Sequence, residues 1–289
     1  MQAIRAGFVG LGAMGWSMAA HLHRRGLLAA VANRSRDKAE RFAAEHAGVV
    51  AADVDTIAQH CNVIALCVSA DADVLAVSRA IAANAAPGTV VVDHSTVSST
   101  TAHEAAALLR AAGGDFVDAP VSGGVEGARN GKLSVMAGAE PAALERVRPV
   151  LETYAARVTH MGPVGAGQNT KAVNQVLIAG IAQAVTEGLA LGEALGLDPA
   201  ALLPTLGAGA AGNWFLEKRG ATMLANQFTV GFKLGLLHKD LGIVRQLALA
   251  AGTDRSVIDK SLADYAKLMA LGHADEDISA LIRLKRPQG

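Results

Sequence analysis

The sequence has few aromatic residues and no net charge. Aromatic side chains make up 3% of its 289 residues, and 26 Lys and Arg residues balance 26 Asp and Glu residues. A nucleic-acid-binding protein normally carries a basic excess on one face, so this balance predicts no nucleic-acid partner. Because 51% of the residues are apolar, the chain can bury a sizeable core in one large or two ordinary domains.

Metal-binding, disulfide and membrane signals are also missing from the sequence. Cys61 and Cys67 match no metal or redox spacing, and the nine histidines form no HxxxH or Cys/His cluster, so we expect no metal and a reducing, cytoplasmic environment. The N-terminal residues lack the charged start and cleavable apolar stretch of a secretory signal. The apolar run 176–184 is interrupted by Gly180 and Gln183 and is too short to cross a bilayer.

The first half of the chain alternates between strand and helix patterns. Residues 63–68 and 89–93 are continuous apolar runs, which are typical of strands buried on both faces of a parallel sheet. This alternation predicts an α/β fold with a Rossmann-type, doubly wound sheet. The other predicted strands are 6–10, 27–32, 115–118, 132–137 and 157–160, and helical patterns cover 14–25 and 37–46.

The pattern changes after Gly162, beyond which no convincing strand is predicted. Residues 168–195 read as one helix, about 40 Å long at 1.5 Å per residue. An all-α C-terminal domain is therefore predicted, with a boundary at 161–165 that divides the chain into residues 1–162 and 163–289. Further helices are predicted at 199–206, 238–251, 254–270 and 276–284.

A glycine-rich turn follows the first predicted strand and opens the first helix. Gly10, Gly12 and Gly15 form a GxGxxG motif with Ala13 and Met14 between them. The first glycine permits a tight turn, the second lets a pyrophosphate approach the backbone, and the third lets helix and strand pack closely. A plain glycine-rich turn is the alternative, but the position between strand and helix favours dinucleotide binding.

The end of the second predicted strand indicates which dinucleotide binds. An NAD site usually has an acidic residue there, whereas this chain has Asn33, Arg34 and Ser35, with no acid before Asp37. The Arg34 guanidinium can pair with a 2′-phosphate; a solvated basic helix start is the alternative. We therefore expect NADP(H), with NAD(H) possible.

Two polar segments, 93–96 and 118–124, follow predicted strands of the sheet. Ligands of open α/β sheets bind at the carboxyl ends of the strands. The Ser122 hydroxyl and the backbone N–H groups of 118–124 can hold a substrate carboxylate, although a purely structural turn has the same spacing.

A third segment, 167–175, opens the long predicted helix. Lys171 and Asn174 are three residues apart and share one helix face. A lysine at the start of an apolar helix is poorly solvated, and desolvation would lower its pKa and suit it to proton transfer. The alternative is a lysine that extends to water.

Taken together, these motifs resemble those of the β-hydroxyacid dehydrogenase family, which includes 3-hydroxyisobutyrate dehydrogenases and tartronate semialdehyde reductases. The resemblance covers essentially the whole chain. The matching motifs are the cofactor loop 7–15, the substrate loop 118–124 continued by Gly127, Ala128 and Gly131, the helix residues Gly167, Lys171 and Asn174, and the C-terminal motif 238–241.

The resemblance implies a role for each matching residue. Lys171 would be the catalytic acid/base, and Asp240 would pair with Lys171 or Lys239. The substrate would contact Ser122, Gly123, Gly124 and Asn174, and the cofactor would contact Thr96, Phe232, Lys239 and the backbone at Cys67 and Val68. Many relatives have Leu-Pro where this chain has Cys67-Val68-Ser69, which leaves the shape of that loop open. A long helix joining the halves and a homodimer or homotetramer are also implied.

The sequence thus predicts an enzyme that moves a hydride between nicotinamide C4 and the carbinol carbon of a small 3-hydroxy acid. Candidate substrates are 3-hydroxyisobutyrate and its semialdehyde, tartronate semialdehyde, succinic semialdehyde and L-serine. Alternatives are an NAD-dependent L-serine-type dehydrogenase, an imine reductase on the same fold, and a dinucleotide-binding protein without turnover. Lys171 argues against an imine reductase, because most of those enzymes replace this lysine.

Overall fold

A computed structural model describes residues 3–287 of the chain. It contains two compact units, Met1–Lys171 and Ala172–Gly289. The division falls inside a long helix, whereas the sequence pattern places the domain boundary at 162/163.

The first unit is built on a nine-stranded sheet. Six parallel strands lie in the order β3-β2-β1-β4-β5-β6, which is the strand order of a dinucleotide-binding Rossmann fold. The expected α/β fold is therefore confirmed. These strands are β1 (Ala6–Val9), β2 (Leu28–Ala32), β3 (Val50–Ala51), β4 (Val63–Leu66), β5 (Val90–Asp93) and β6 (Asp115–Asp118).

The sheet continues beyond β6 with three more strands. β7 (Val121–Ser122) and β8 (Leu133–Gly138) are antiparallel to each other, and β9 (Ala155–Gly162) runs parallel to β8. β7 is too short to show a period in the sequence and was not predicted. It places Ser122 opposite Ser134 in the ladder, so the substrate loop starts from a fixed strand.

Helices cover both faces of the sheet, and the apolar strands explain why. All four residues of β4 and β5 are buried, so each face needs a layer of helices. Two apolar clusters fill these layers, one around Phe8 and Val92 and the other around Ile64 and Val91. The helices are α1 (Gly15–Arg24), α2 (Arg36–Glu45), α3 (Val54–His60), α4 (Asp71–Asn84), α5 (Ser99–Ala111), α6 (Gly124–Arg129) and α7 (Pro141–Leu151).

The second unit is helical, as expected. Helix α8 (Ala166–Ala194) crosses the division and is followed by α9 (Pro199–Ala208), α10 (Trp214–Leu224), α11 (Leu234–Ala251) and α12 (Ser256–Ala270). Leu237, Leu241, Tyr265 and Leu268 are fully buried in its core.

Two details of the second unit refine the sequence prediction. The helical segment predicted at 276–284 is a 3₁₀ helix at Ile278–Leu284, and it begins two residues later because Asp277 caps the N–H of Ser279. Lys233 and Asp277 form an isolated antiparallel β-bridge. The sequence around these two residues has no alternating apolar pattern that would predict it.

Helix α8 is long and apolar enough to cross a membrane by length and composition, with a mean hydropathy of 1.3 over its most apolar window. The core helix of a soluble protein passes the same test, so this feature alone assigns no membrane role.

Candidate active site

The glycine motif forms the turn between β1 and α1. Gly10 has φ +101, and a Cβ there would overlap the carbonyl oxygen of Cys67. A Cβ on Gly15 would overlap the carbonyl oxygen of Gly10, so these two positions need glycine for packing. Ala13 is exposed and Met14 is the N-cap of α1.

Gly12 differs from the other two glycines. A Cβ there would meet none of the described residues within 4 Å. Glycine at this position is therefore not required by the packing of the protein itself, and the open space leaves the backbone accessible to a ligand.

Asn33 connects the glycine turn to the end of β2. Its Oδ1 accepts the N–H of Leu11 at 2.9 Å, and its Nδ2 donates to the Ser35 carbonyl at 3.0 Å. Arg34 and Ser35 are exposed beside it. Arg36 forms a 2.9 Å ion pair with Glu40 on α2, so these two arginines have different surroundings.

The loop after β4 holds the position where relatives carry a proline. The Cys67 N–H donates to the Val9 carbonyl, and the Val68 N–H donates to Ser95 Oγ, both at 2.9 Å. These bonds fix the loop next to Gly10 without a proline. Burial raises the pKa of the Cys67 thiol to about 12, so the thiol stays protonated and unreactive near neutral pH.

The loop after β5 is fixed by buried polar side chains. The Nδ1–H of His94 donates to the Ala119 carbonyl, and its Nε2 accepts from the Tyr154 hydroxyl, both at 2.8 Å; we infer this tautomer because a carbonyl can only accept. Burial lowers the pKa of His94 to about 4. The imidazole is therefore neutral and has a positioning role. Thr96 lies two residues further on and is partly buried.

The substrate loop follows β6 and contains two glycines with positive φ. Gly123 has φ +123 and Gly124 has φ +60, conformations that L-residues rarely adopt. They turn the chain from β7 into α6, and Ser122, which is partly buried, lies just before this turn.

Lys171 contacts this loop directly. Its side chain is buried, with 7% of the residue exposed, and its Nζ donates a hydrogen bond to the Val121 carbonyl oxygen at 2.9 Å. A lysine extended to solvent is therefore the wrong alternative. The structure brings the candidate acid/base to the residue that precedes Ser122.

Asp118 fixes the start of helix α8, and sequence reasoning missed this role. Its carboxylate accepts the N–H groups of Gly165 at 2.7 Å and Gln168 at 2.9 Å. A negative charge is favourable at a helix N-terminus. Burial nevertheless raises the pKa of Asp118 to about 6, although these N–H groups lower it in part. A Cβ on Gly138 or Gly167 would overlap atoms of this contact.

Gln168 provides a second connection from the same helix turn. Its Nε2 donates to the Ser95 carbonyl at 2.8 Å, and its Oε1 accepts the Val97 N–H at 3.2 Å. The loops after β4, β5 and β6 are therefore linked to the first turn of α8. Gln168 is 2% exposed in the structure, but a glutamine at the start of a predicted helix does not indicate from the sequence which loops it contacts.

The remaining candidate residues lie in the second unit. Lys239 forms an ion pair with Asp240 at 3.0 Å, one of the two pairings that the resemblance implied. Asn174 donates to Gln175, and Gln175 donates to Asp240. Phe232 is partly buried, and its N–H donates to Asp277. Among residues 3–287, no group of three or more His, Cys, Asp or Glu side chains is arranged to hold a metal.

Comparisons with known proteins match both parts of the chain. Residues 5–162 match the NAD-binding domain of 6-phosphogluconate dehydrogenase, and residues 165–285 match the NAD-binding domain of NADP-dependent 3-hydroxyisobutyrate dehydrogenase. An NAD-dependent L-serine dehydrogenase from Pseudomonas aeruginosa is 32% identical over 290 residues, covering 97% of both chains.

Solved structures agree with these matches. The Mycobacterium tuberculosis 3-hydroxyisobutyrate dehydrogenase determined with L-serine has a TM-score of 0.88 and 32% identity, covering 99% of this chain and 100% of that one. An imine reductase from Myxococcus stipitatus has a TM-score of 0.63 at 18% identity over 97% of this chain and 98% of that one, a likeness of fold alone. The chain belongs to the β-hydroxyacid dehydrogenase family and is an NAD(P)-dependent hydroxyacid dehydrogenase.

Proposed function

We propose that this protein interconverts a small 3-hydroxy acid and its semialdehyde with NADP(H), and that Lys171 is the catalytic acid/base. The main observation behind the proposal is that the buried Lys171 ammonium donates a hydrogen bond to the carbonyl oxygen of Val121. A cation placed beside the substrate loop can exchange a proton with a substrate oxygen, and Ser122 next to it can bind the carboxylate.

The glycine turn fits a dinucleotide. Gly10 and Gly15 keep the turn tight, while the open space at Gly12 leaves room for a pyrophosphate against the backbone. The turn also lies between β1 and β4, where the strand order reverses and where ligands of such sheets bind. Gly10, Gly12, Ala13, Met14 and Gly15 would hold the pyrophosphate, and the dinucleotide would supply or accept the hydride.

Lys171 would serve both directions of the reaction. Protonated Lys171 donates its proton to the carbonyl oxygen when the semialdehyde is reduced, and neutral Lys171 accepts the hydroxyl proton when the hydroxy acid is oxidised. Asn174 lies one helical turn later and orients the same oxygen. General acid–base catalysis of this kind contributes about 10²–10⁴-fold in rate.

Substitution of Lys171 tests the proposal. Lys171→Ala should bind NADPH with unchanged affinity but lose nearly all turnover, and Lys171→Arg should rescue little because a guanidinium holds its proton too tightly. Lys267→Ala, which removes an exposed lysine on α12, is the matched control. If Lys171→Ala keeps more than about a tenth of wild-type kcat, Lys171 is not the acid/base.

The NADP(H) preference rests on Asn33 and Arg34. Asn33 occupies the usual position of the acidic residue and bonds to Leu11 and Ser35 instead of to a ribose. Arg34 is exposed at the turn and can pair with a 2′-phosphate. Arg34→Asp should shift the ratio of kcat/KM values toward NADH, whereas Arg36→Ala should not, since Arg36 is paired with Glu40. A wild-type preference for NADH would refute this assignment.

The substrate itself is best identified by a screen. Wild-type protein should be assayed by nicotinamide absorbance with tartronate, succinic and methylmalonate semialdehydes, 3-hydroxyisobutyrate and L-serine. The L-serine dehydrogenase relative uses NAD, so each compound should be tested with both cofactors. Turnover of a cyclic imine, but of none of these acids, would favour an imine reductase. Cofactor binding without any turnover would favour a non-catalytic role.

We also propose that the protein forms a homodimer or homotetramer in the cytoplasm through an exposed apolar stripe that runs along α8 and ends at Leu195, the residue after the helix. Leu177 and Leu191 are 62% and 60% exposed. An antiparallel second copy centred on Ala184 would bring residue 173 opposite 195, 177 opposite 191, and 180 opposite 188. These pairs are Val173 with Leu195, Leu177 with Leu191, and Gly180 with Gly188, so large apolar residues meet at the ends and small ones near the centre.

Light scattering after size exclusion measures the mass that this stripe predicts. The double variant Leu177→Glu and Leu191→Glu should have a smaller mass than the wild type because it places charges in the stripe. Val50→Glu, at a position that is 58% exposed on β3, is the control. An unchanged mass of the double variant would exclude the stripe as an interface.

A further inference from the structure

A chain of hydrogen bonds in the second unit leads from helix α11 to Asn174. Lys239 Nζ lies 3.0 Å from Asp240 Oδ1, and Gln175 Nε2 donates to Asp240 Oδ2 at 2.7 Å. Asn174 Nδ2 then donates to Gln175 Oε1 at 2.8 Å. Gln175 is completely buried, and Asp240 is 3% exposed.

Charge fixes the direction of every bond in this chain. Asp240 is the ion-pair partner of the Lys239 ammonium, and a carboxylate in an ion pair can only accept hydrogen bonds. Gln175 must therefore turn its NH₂ group toward Asp240, which leaves its carbonyl oxygen as an acceptor. Asn174 must then turn its own NH₂ group toward Gln175. The ion pair on α11 thus determines which side of the Asn174 amide carries the NH₂ group and which carries the oxygen.

We propose that Gln175 is a positioning residue for the reaction. It transmits the polarity of the Lys239–Asp240 pair to Asn174 and fixes which amide atoms Asn174 offers to the substrate. This inference rests on the proposed function, in which Asn174 orients the reacting oxygen. Gln175 lies outside both the glycine turn and the substrate loop.

The fixed orientation matters because the substrate oxygen gains negative charge during reduction. A donor held toward that oxygen stabilises the developing charge, while a carbonyl oxygen in the same place would repel it. With one hydrogen of Nδ2 bound to Gln175, the second hydrogen is held in one direction. An amide free to turn would lose this preorganisation, so its loss should lower kcat more than it raises KM.

Gln175→Glu tests the proposal because it keeps the shape of the side chain. A carboxylate at 175 faces Asp240, and like charges this close share a proton. While that proton is present, the glutamic acid O–H donates to Asp240 and its other oxygen accepts from Asn174, as glutamine does. When the proton leaves, the two carboxylates repel and the chain breaks. Among charged groups, Lys239 on α11 pairs with Asp240, and Lys171 lies four residues before Gln175 on the same helix.

The proton shared by the two carboxylates determines how the stability of Gln175→Glu changes with pH. The folded pair has a pKa above the ordinary glutamate value of about 4.3, so Gln175→Glu loses stability as pH rises through the pKa of the folded pair. The ratio of variant to wild-type kcat/KM should fall at least about tenfold over the same interval, the scale of one hydrogen bond to a charged group. Taking the ratio removes the pH dependence of those steps that the substitution does not affect.

Gln183→Glu is the matched control on the same helix. Gln183 Nε2 also donates to a carboxylate, Asp264 Oδ2, at 3.1 Å. Its Oε1 accepts from Lys285 Nζ at 2.6 Å, so a new carboxylate there gains a cation. Gln183→Glu should therefore keep the wild-type pH profile of kcat/KM. The third variant, Gln175→Met, removes the chain without adding a charge.

The experiment measures melting temperature, NADPH affinity, kcat and KM from pH 5 to 9 for the wild type and the three variants. A falling activity ratio with growing loss of melting temperature in Gln175→Glu supports the proposal. If the melting temperature titrates while the activity ratio stays flat, or if neither changes with pH, the positioning role is overturned.

Gln175→Met decides the question if Gln175→Glu fails to fold. A loss of kcat of about tenfold or more, with NADPH affinity unchanged and KM nearly unchanged, supports the proposal, and a wild-type kcat overturns it. A wild type that turns over none of the acids in the screen refutes the proposed function as well, whereas an active wild type with normal Gln175 variants refutes the positioning role alone.

Discussion

Asp118→Asn changes the contact that fixes the start of helix α8. The carboxylate uses one oxygen for the N–H of Gly165 and the other for the N–H of Gln168. Asparagine is almost the same size but has only one acceptor oxygen, so one of the two N–H groups would face an NH₂ group. The substitution also removes a buried ionisable group, and this second effect depends on pH.

The magnitude follows from the pKa of Asp118, which burial raises from 3.8 to about 6. Between these pH values the folded protein binds more protons than the unfolded chain, so stability falls as pH rises. Each unit of pKa shift corresponds to about 1.4 kcal/mol, and the unfolded carboxyl is already partly ionised at pH 4, so the wild type should lose about 2.4 kcal/mol from this group between pH 4 and pH 7. Asp118→Asn lacks the ionisation, and its stability relative to wild type should therefore rise by that amount.

The assay is urea unfolding followed by Trp16 fluorescence in a Trp214→Phe background. The chain has two tryptophans, one in each unit, so this background leaves a reporter in the first unit alone. The separation matters because a chain with two units need not unfold in one step. A difference in unfolding free energy between wild type and Asp118→Asn that does not change from pH 4 to pH 7 would refute the reasoning.

Asp71→Asn is the control with the opposite sign. Burial raises the pKa of Asp71, but the N–H of Ser98 and the hydroxyl of Thr101 lower it by more, so the pKa lies below 3.8. Asp71 therefore stabilises the fold above the unfolded-state pKa and loses this effect as pH falls. The destabilisation by Asp71→Asn should shrink at low pH, whereas Asp118→Asn should become more destabilising there.

Three further outcomes are expected. Gly12→Ala should keep the wild-type melting temperature but weaken NADPH binding in a fluorescence titration, because its Cβ meets no described residue; unchanged affinity would mean that the dinucleotide does not approach this turn. Gly15→Ala should lower the melting temperature, because its Cβ overlaps the Gly10 carbonyl. Ser122→Ala should raise KM for an acid substrate by an amount worth about 1–3 kcal/mol and leave NADPH affinity unchanged; an equal loss of both would make the loop merely structural.

The strands that carry the site were predictable because their hydrophobic pattern is local. β4 and β5 are continuous apolar runs, and the buried stretch at each is four residues long. The strand predicted at 63–68 extends two residues too far, because the chain leaves the sheet after Leu66 and approaches Gly10. Helix α8 was predicted from its apolar length to within about a turn at each end.

Two of the helices that were not predicted, α4 and α10, have weak apolar patterns. α4 buries Val74, Ser78 and Ile81 on a background of alanine, which gives little contrast between its faces. α10 begins where Asn213 accepts the Leu216 N–H, but a cap is informative only beside a recognisable helix. Both helices form because the rest of the fold covers their small buried faces, which is information that a single sequence does not contain.

The site residues also divide into those that the sequence could predict and those that it could not. Lys171 and Ser122 were predictable because each lies within a recognisable motif. The roles of Gln168 and Gln175 depend on partners 73 and 65 residues away, and a glutamine on an apolar helix gives no sign of where its partner lies. Asp118 lay inside a motif, but its contact with the start of α8 joins two segments that only the folded sheet brings together.

The first unit also supports the proposal that Lys171, rather than a neighbouring titratable group, is the acid/base. His94 uses both ring nitrogens for protein hydrogen bonds, and its pKa of about 4 leaves it without a proton to donate near neutral pH. The Cys67 thiol has a pKa of about 12 and does not ionise there. The Asp118 carboxylate is occupied by two backbone N–H groups at the start of α8. Lys171 lies on that same helix beside the substrate loop, so in the proposed mechanism the buried groups around it place its ammonium where a substrate oxygen would exchange a proton with it.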